Sequence, residues 1–124
     1  MVIGIGIDII EIERVKKAIT KENFLKRVFT PKEIAYCEGR GAQKAASYAA
    51  RFAGKEAVLK AFGTGLIGGI LLEIEILNDE LGAPKVYLSG FFARLAKEKE
   101  IQRIHLSLSH AHLYAVAHTV FEGD

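Results

Sequence analysis

The stretch from Arg51 to Gly65, RFAGKEAVLKAFGTG, constrains this chain more than any other, because it sets four charges in an otherwise apolar, helix-forming run and then breaks into glycine. At about 100° per residue, Glu56 and Lys60 lie side by side at i,i+4, and Arg51 and Lys55 make a second pair on a different side. No single solvated face takes both pairs. Phe52, Val58, Leu59 and Phe62 fall around Arg51 and Lys55, while Ala46, Ala49, Ala50, Ala53, Ala57 and Ala61 form a stripe of small residues that admits another backbone at close range. The charges are therefore expected to point into a cleft or interface, where each needs a partner, a metal or a charged ligand to offset its desolvation. Read by itself, the run is also compatible with a surface helix carrying one Glu56–Lys60 pair, worth roughly 0.2–0.5 kcal/mol, and stopped by Gly63.

The surrounding pattern places this helix in a mixed fold. Residues 2 to 10 alternate as a strand, with Ile3, Ile5, Ile7 and Ile9 on one face and Gly4, Gly6 and Asp8 on the other. The two glycines are expected to leave space beside the Asp8 carboxylate, which with Glu11 also fits a helix N-cap. A helical segment follows from about Glu11 to Ile19, and a second begins near Thr20. Thr30, Pro31 and Glu33 form a capping box with proline at the first helical position, so another helix starts near Pro31. The region Gly39 to Gly41 reads as a loop, and the alanine-rich helix spans about Gln43 to Phe62. LLEIEILND and APKVYLSG read as strands around the turn Asn78 to Gly82, and Phe91 to Glu100 as a short amphipathic helix. The end, IHLSLSHAHLYAVAHTVFE, gives two more strands reversing near Ala111 and His112. Roughly five strands and three or four helices without βαβ alternation define an α+β fold, a mainly antiparallel sheet packed against a long helix. With 124 residues and no linker or internal repeat, residues 1–124 are read as a single domain.

Composition narrows the class. Half of the residues are hydrophobic and the mean hydropathy is +0.18, a balance that favours burial of some surface in an oligomer. The lone Cys37 excludes an internal disulfide and a Cys-based zinc site, and it fits a reducing, cytoplasmic setting. The apolar start MVIGIGIDII is interrupted by Asp8 too soon for a signal peptide, and no apolar run approaches the roughly 20 residues of a membrane span, so no membrane association is expected. Net charge is only +2, yet Arg14, Lys16, Lys17, Lys21, Lys26, Arg27 and Lys32 face a single acid, Glu22, between positions 14 and 32. Such a stretch is a solvated helix face or a surface for an acidic partner. It lacks the interleaved exposed aromatics of a nucleic-acid site.

Gly63-Thr64-Gly65-Leu66-Ile67-Gly68 satisfies G-x-G-x-x-G, but here a helix precedes the glycines and a strand follows, the reverse of the dinucleotide fingerprint. What remains is a glycine turn able to offer backbone N–H groups to an anion, with Lys60 one turn upstream. All four histidines, His105, His110, His112 and His118, lie near the end, without the Cys or acid that would complete a zinc set. His110 continues the face of Leu106 and Leu108 and adjoins Ser109 in sequence. Strand neighbours point to opposite faces, so Ser109 is not activated by His110, and a contact from His110 to a phosphate fits better.

Four blocks taken together, GIGIDIIEIERV, FLKRVFTPKEIAYC, RFAGKEAVLKAFGTG and LSLSHAHLYAVA, resemble the small stand-alone 4′-phosphopantetheinyl transferases, the holo-acyl-carrier-protein synthases, in the right order over most of the chain. The resemblance implies Mg²⁺-dependent transfer of phosphopantetheine from coenzyme A to a serine of apo acyl carrier protein, releasing adenosine 3′,5′-bisphosphate, by a cytoplasmic homotrimer with sites between subunits. It implies that Asp8 and Glu56 ligate Mg²⁺ and, with Lys60, form the catalytic group. Lys60 and the turn Gly63, Thr64, Gly65 would meet the coenzyme diphosphate, Ser109 and His110 its 3′-phosphate, and Arg51 the coenzyme as well. Arg14, Lys17 and Lys21 match the region that receives the carrier protein. Gly54 and Ala111 depart from the pattern, where alanine and a hydroxyl residue are commoner. A non-catalytic module binding coenzyme A or another phosphorylated ligand is the competing reading.

Overall fold

The computed structural model describes all residues, 1–124. In chain order the elements are β1 (Val2–Glu11), α1 (Ile12–Ala18), α2 (Glu22–Val28), α3 (Pro31–Glu38), α4 (Lys44–Phe62), β2 (Ile74–Asn78), β3 (Pro84–Leu88), α5 (Gly90–Glu98), β4 (Arg103–Ala111) and β5 (Tyr114–Glu122), with 3₁₀ turns at Gly41–Gln43 and Leu71–Glu73. The α+β class holds. Five helices form rather than three or four; the 12–28 region divides into two short helices where the sequence places the break, and Leu71–Glu73 coils before the strand begins.

The capping box forms as its sequence predicts: Thr30 Oγ1 accepts from the Glu33 N–H at 3.2 Å, and Glu33 Oε1 accepts from the Thr30 N–H at 2.8 Å. At the C-terminal end of the long helix α4, Gly63 takes φ +78° and its N–H bonds the Leu59 carbonyl at 3.0 Å, the left-handed stop that only glycine adopts without strain.

All strand pairing is antiparallel, but it divides into two sheets, a three-stranded one ordered β1-β5-β4 and the hairpin β2-β3. Helix α4 lies between them. Its alanine stripe packs on the larger sheet around fully buried Ala53, Ala57 and Ala117, while Ile74 and Ile76 of β2 are buried on its other flank. The main core gathers Tyr48, Val58, Phe62, Phe92 and Phe121, with the Phe62 ring 4.8 Å from Phe121 and 5.5 Å from Phe92.

The glycines of β1 have a different use from the one expected. A Cβ on Gly6 would stand 2.8 Å from the Ala57 carbonyl carbon and 3.0 Å from the Ala61 nitrogen, and one on Gly4 would stand 3.3 Å from the Ala61 carbonyl carbon. The space over Gly4 and Gly6 is thus filled by the backbone of α4. Asp8 does not cap a helix: it sits within β1, and α1 begins only after Glu11, whose side chain makes no cap bond. The opposite face of the same sheet is bare, with Ile5, Ile7 and Ile9 each more than 60 % exposed.

Candidate active site

Because β1 runs antiparallel to α4, with Gly4 against Ala61 and Gly6 against Ala57, Asp8 arrives beside the turns that carry Glu56 and Lys60. Lys60 Nζ donates to Asp8 Oδ1 at 3.1 Å and to the Ile7 carbonyl at 3.0 Å. The i,i+4 pair of Glu56 with Lys60 does not form. Glu56 is half-buried, and this burial, reinforced by the negative charge of Asp8 and opposed by Lys60, holds its carboxyl above the usual carboxylate range. Two acids distant in sequence therefore share one corner with one ammonium.

That donor set fits Mg²⁺. The ion takes one or two carboxylates and completes its shell with water and phosphate oxygens, and a divalent charge would offset the burial of Glu56 and its repulsion by Asp8. No third His, Cys, Asp or Glu joins the pair. Beyond α4, Gly63 and Gly65 both hold left-handed φ, +78° and +63°, with Thr64 between them, so the turn expected against a diphosphate starts where Lys60's helix ends.

Arg51, Ser109 and His110 gather elsewhere, around a polar cavity of about 170 Å³. Arg51 is 3 % exposed and has no carboxylate partner: it donates to Asn78 Oδ1 at 2.7 Å and Ser47 Oγ at 3.3 Å, stacks on Tyr36 at 4.2 Å, and leaves its Nε–H unpaired. A buried guanidinium in that state favours an anion in the cavity. Lys60 follows Arg51 by nine residues, which on a helix is roughly half a revolution, so the two clusters lie on opposite flanks of α4. Within one chain the expected site residues form two groups, not one.

Three features escaped the sequence reading. Tyr36 and Asn78 line the Arg51 cavity, and nothing in their local pattern singles them out. An apolar cavity of about 480 Å³, lined by Phe24, Phe52, Leu66, Ile70 and Leu71, adjoins Glu56; an exposed leucine inside a glycine loop was its one visible signal. Lys55 points into the core instead of a cleft and is fully buried against Glu33 at 2.9 Å. Arg14, Lys17 and Lys21 are exposed at the start of the basic stretch, and of its seven cations only Lys26 is engaged by an acid, Glu22 at 2.7 Å.

The family model of the 4′-phosphopantetheinyl transferase superfamily matches residues 4–117. A holo-[acyl-carrier-protein] synthase of Ruminiclostridium cellulolyticum is 51 % identical, the alignment covering 97 % of this chain and 92 % of that protein. Among solved structures, the holo-(acyl-carrier-protein) synthase of Bacillus anthracis in complex with CoA (3′,5′-ADP) is 38 % identical with a TM-score of 0.83, covering 100 % of this chain and 99 % of its own. That of Helicobacter pylori, in complex with coenzyme A, is 34 % identical with a TM-score of 0.83, covering 95 % and 99 %.

Proposed function

This chain belongs to the 4′-phosphopantetheinyl transferase superfamily, and we propose that it moves phosphopantetheine from coenzyme A to a serine of apo acyl carrier protein through the corner built by Asp8, Glu56 and Lys60. The serine oxygen bonds to the phosphorus that carries the pantetheine arm, the bond from that phosphorus to the bridging oxygen breaks, and adenosine 3′,5′-bisphosphate leaves with the electron pair. Such a transfer asks a protein mainly for positioning and charge neutralisation.

Each residue has a distinct task. Glu56, in the corner it shares with Asp8 and Lys60, takes the serine proton directly or through an intervening water. Lys60 directs its ammonium at the diphosphate, held in place by Asp8 and the Ile7 carbonyl. Asp8 and Glu56 would hold Mg²⁺, which supplies Lewis-acid stabilisation of charge on the diphosphate. The Gly63–Gly65 turn presents backbone to the same group. Arg51, Ser109 and His110 take the 3′-phosphate. The exposed Arg14, Lys17 and Lys21 receive the acidic carrier protein, with binding that weakens in salt.

The split of the site supports the homotrimer. The coenzyme needs both flanks of α4, so the Arg51 cavity must come from a neighbouring copy, and the bare isoleucine face of β1 provides apolar surface for assembly. No helix is long and apolar enough to cross a membrane, and we assign the enzyme to the cytoplasm, where the thiol of the buried Cys37 stays reduced.

The observation that carries this reading is the convergence of Asp8, Glu56 and Lys60. Incubation with coenzyme A, Mg²⁺ and apo carrier is expected to add one phosphopantetheine mass to the carrier, and Asp8→Asn and Glu56→Gln should each abolish this while the fold is retained. Coenzyme binding with an unchanged carrier mass would replace the transferase with a binding module. Undiminished turnover in either variant would remove the metal and base assignments.

A further inference from the structure

Lys55 is fully buried, yet its ammonium uses all three donors: Glu33 Oε1 at 2.9 Å, the Leu71 carbonyl at 3.0 Å and the Ile74 carbonyl at 2.7 Å. Glu33 is equally saturated, accepting also from the Thr30 N–H and, through Oε2, from the Ile76 N–H at 2.8 Å. Burial of this kind is costly for both ions, and an apolar pair of similar volume is often as stable or more so. What an apolar pair cannot do is hold two inward carbonyls at a fixed distance from a helix.

The position of those carbonyls gives the pair its meaning. The loop from Gly63 to Ile70 leaves α4 at one end and enters Leu71 at the other. Lys55 precedes Glu56 on α4, so its bonds to Leu71 and Ile74 tie the far end of the loop to the same rigid helix that carries Glu56 and Lys60. Leu66, Ile70 and Leu71 of this segment also wall the apolar cavity beside Glu56. Glu73 reinforces the same end, accepting from the Ile70 N–H at 3.1 Å and the Phe91 N–H at 3.2 Å.

We propose that Lys55 is a positioning residue that fixes the glycine loop relative to Glu56, and so sets how tightly coenzyme A is held without taking part in the chemistry. This rests on the function proposed above. Glu33→Gln isolates the tether, because it removes the carboxylate charge and keeps an acceptor oxygen of similar shape, while the Lys55 nitrogen still has N–H groups for the Leu71 and Ile74 carbonyls. Glu33→Gln with Lys55→Met removes both charges and the tether together, at nearly constant volume.

The test is steady-state kinetics by carrier mass shift, with hydrogen exchange of amides 64–72, in wild type, the single and the double variant. Glu33→Gln should keep its coenzyme KM within about twofold of wild type, whereas the double variant should raise it about tenfold, with kcat within about threefold. Amide exchange at 64–72 should quicken about tenfold in the double variant alone, with the amides of α4 unchanged. A folded double variant whose KM and loop exchange match wild type would overturn the proposal. So would a double variant that does not fold, since Lys55 would then serve the core. The exchange measurement needs no turnover, so an inactive wild type would remove the transferase reading and leave the tether still tested.

Discussion

Replacing Gly6 by alanine tests whether the contact of β1 with α4 is what places the acid of β1 in the site. The added Cβ would stand 2.8 Å from the Ala57 carbonyl carbon and 3.0 Å from the Ala61 nitrogen, where non-bonded carbon contacts settle at about 3.5–4.0 Å. Both obstacles are backbone, flanked by Ala53, Ala57 and Ala117 at 0 % exposure, so no side chain can swing aside. Strand and helix must part by about 1 Å, at the upper end of the roughly 1–3 kcal/mol typical of overpacking. That is a large share of the 5–15 kcal/mol or so that holds a domain together. The same displacement stretches the Lys60–Asp8 contact from 3.1 Å to beyond hydrogen-bonding range. A 1 Å misplacement of catalytic groups costs on the order of 100-fold, so kcat/KM should fall by about that factor even where the variant is folded. Urea denaturation gives the first quantity and the initial rate of carrier modification the second. Gly39→Ala is the control, since its Cβ would meet only the Ala35 and Tyr36 carbonyls at an ordinary 3.6 Å. A Gly6→Ala protein with an unmoved urea midpoint and full activity would refute the idea that this close approach positions Asp8.

Glu56→Gln should be inactive yet more stable than wild type at pH 7. The folded carboxyl sits above its ordinary 4.5, so the folded state binds more protons between 4.5 and its own pKa, and stability falls as pH rises through that window and stays reduced above it. The gain in Tm over wild type should vanish near pH 4, and Mg²⁺ should raise the Tm of wild type but not of the variant; equal melting at both pH values would contradict the raised carboxyl. Mixed under conditions that let subunits exchange, inactive Asp8→Asn and Arg51→Ala chains should recover part of the activity, because one interface then joins an intact Glu56 flank to an intact Arg51 cavity. No recovery would place both groups of residues in a single chain's site. Thr30→Ala removes both the cap to the Glu33 N–H and the 2.6 Å bond to Glu75 Oε2, and chemical denaturation should show a loss of about 1–2 kcal/mol.

Local rules decided much of this protein from sequence alone. The alternation of β1, the capping box at Thr30, the glycine stop at Gly63 and the alanine stripe of α4 all formed as read, because each depends on residues within one or two turns of one another. The resemblance of four short blocks also named the acids that meet. Tertiary structure decided where the charges of α4 point. Lys60 turns from its helical neighbour Glu56 to Asp8, 52 residues away, and Lys55 is drawn into the core by a carboxylate and two carbonyls supplied by α3 and the approach to β2. It also decided that the small residues of β1 make room for a helix, and which cavity each flank of α4 lines. An i,i+4 spacing brings two side chains within reach, but which partner a charge keeps depends on what is buried around it. Desolvation is set by elements that meet only when the whole chain has folded.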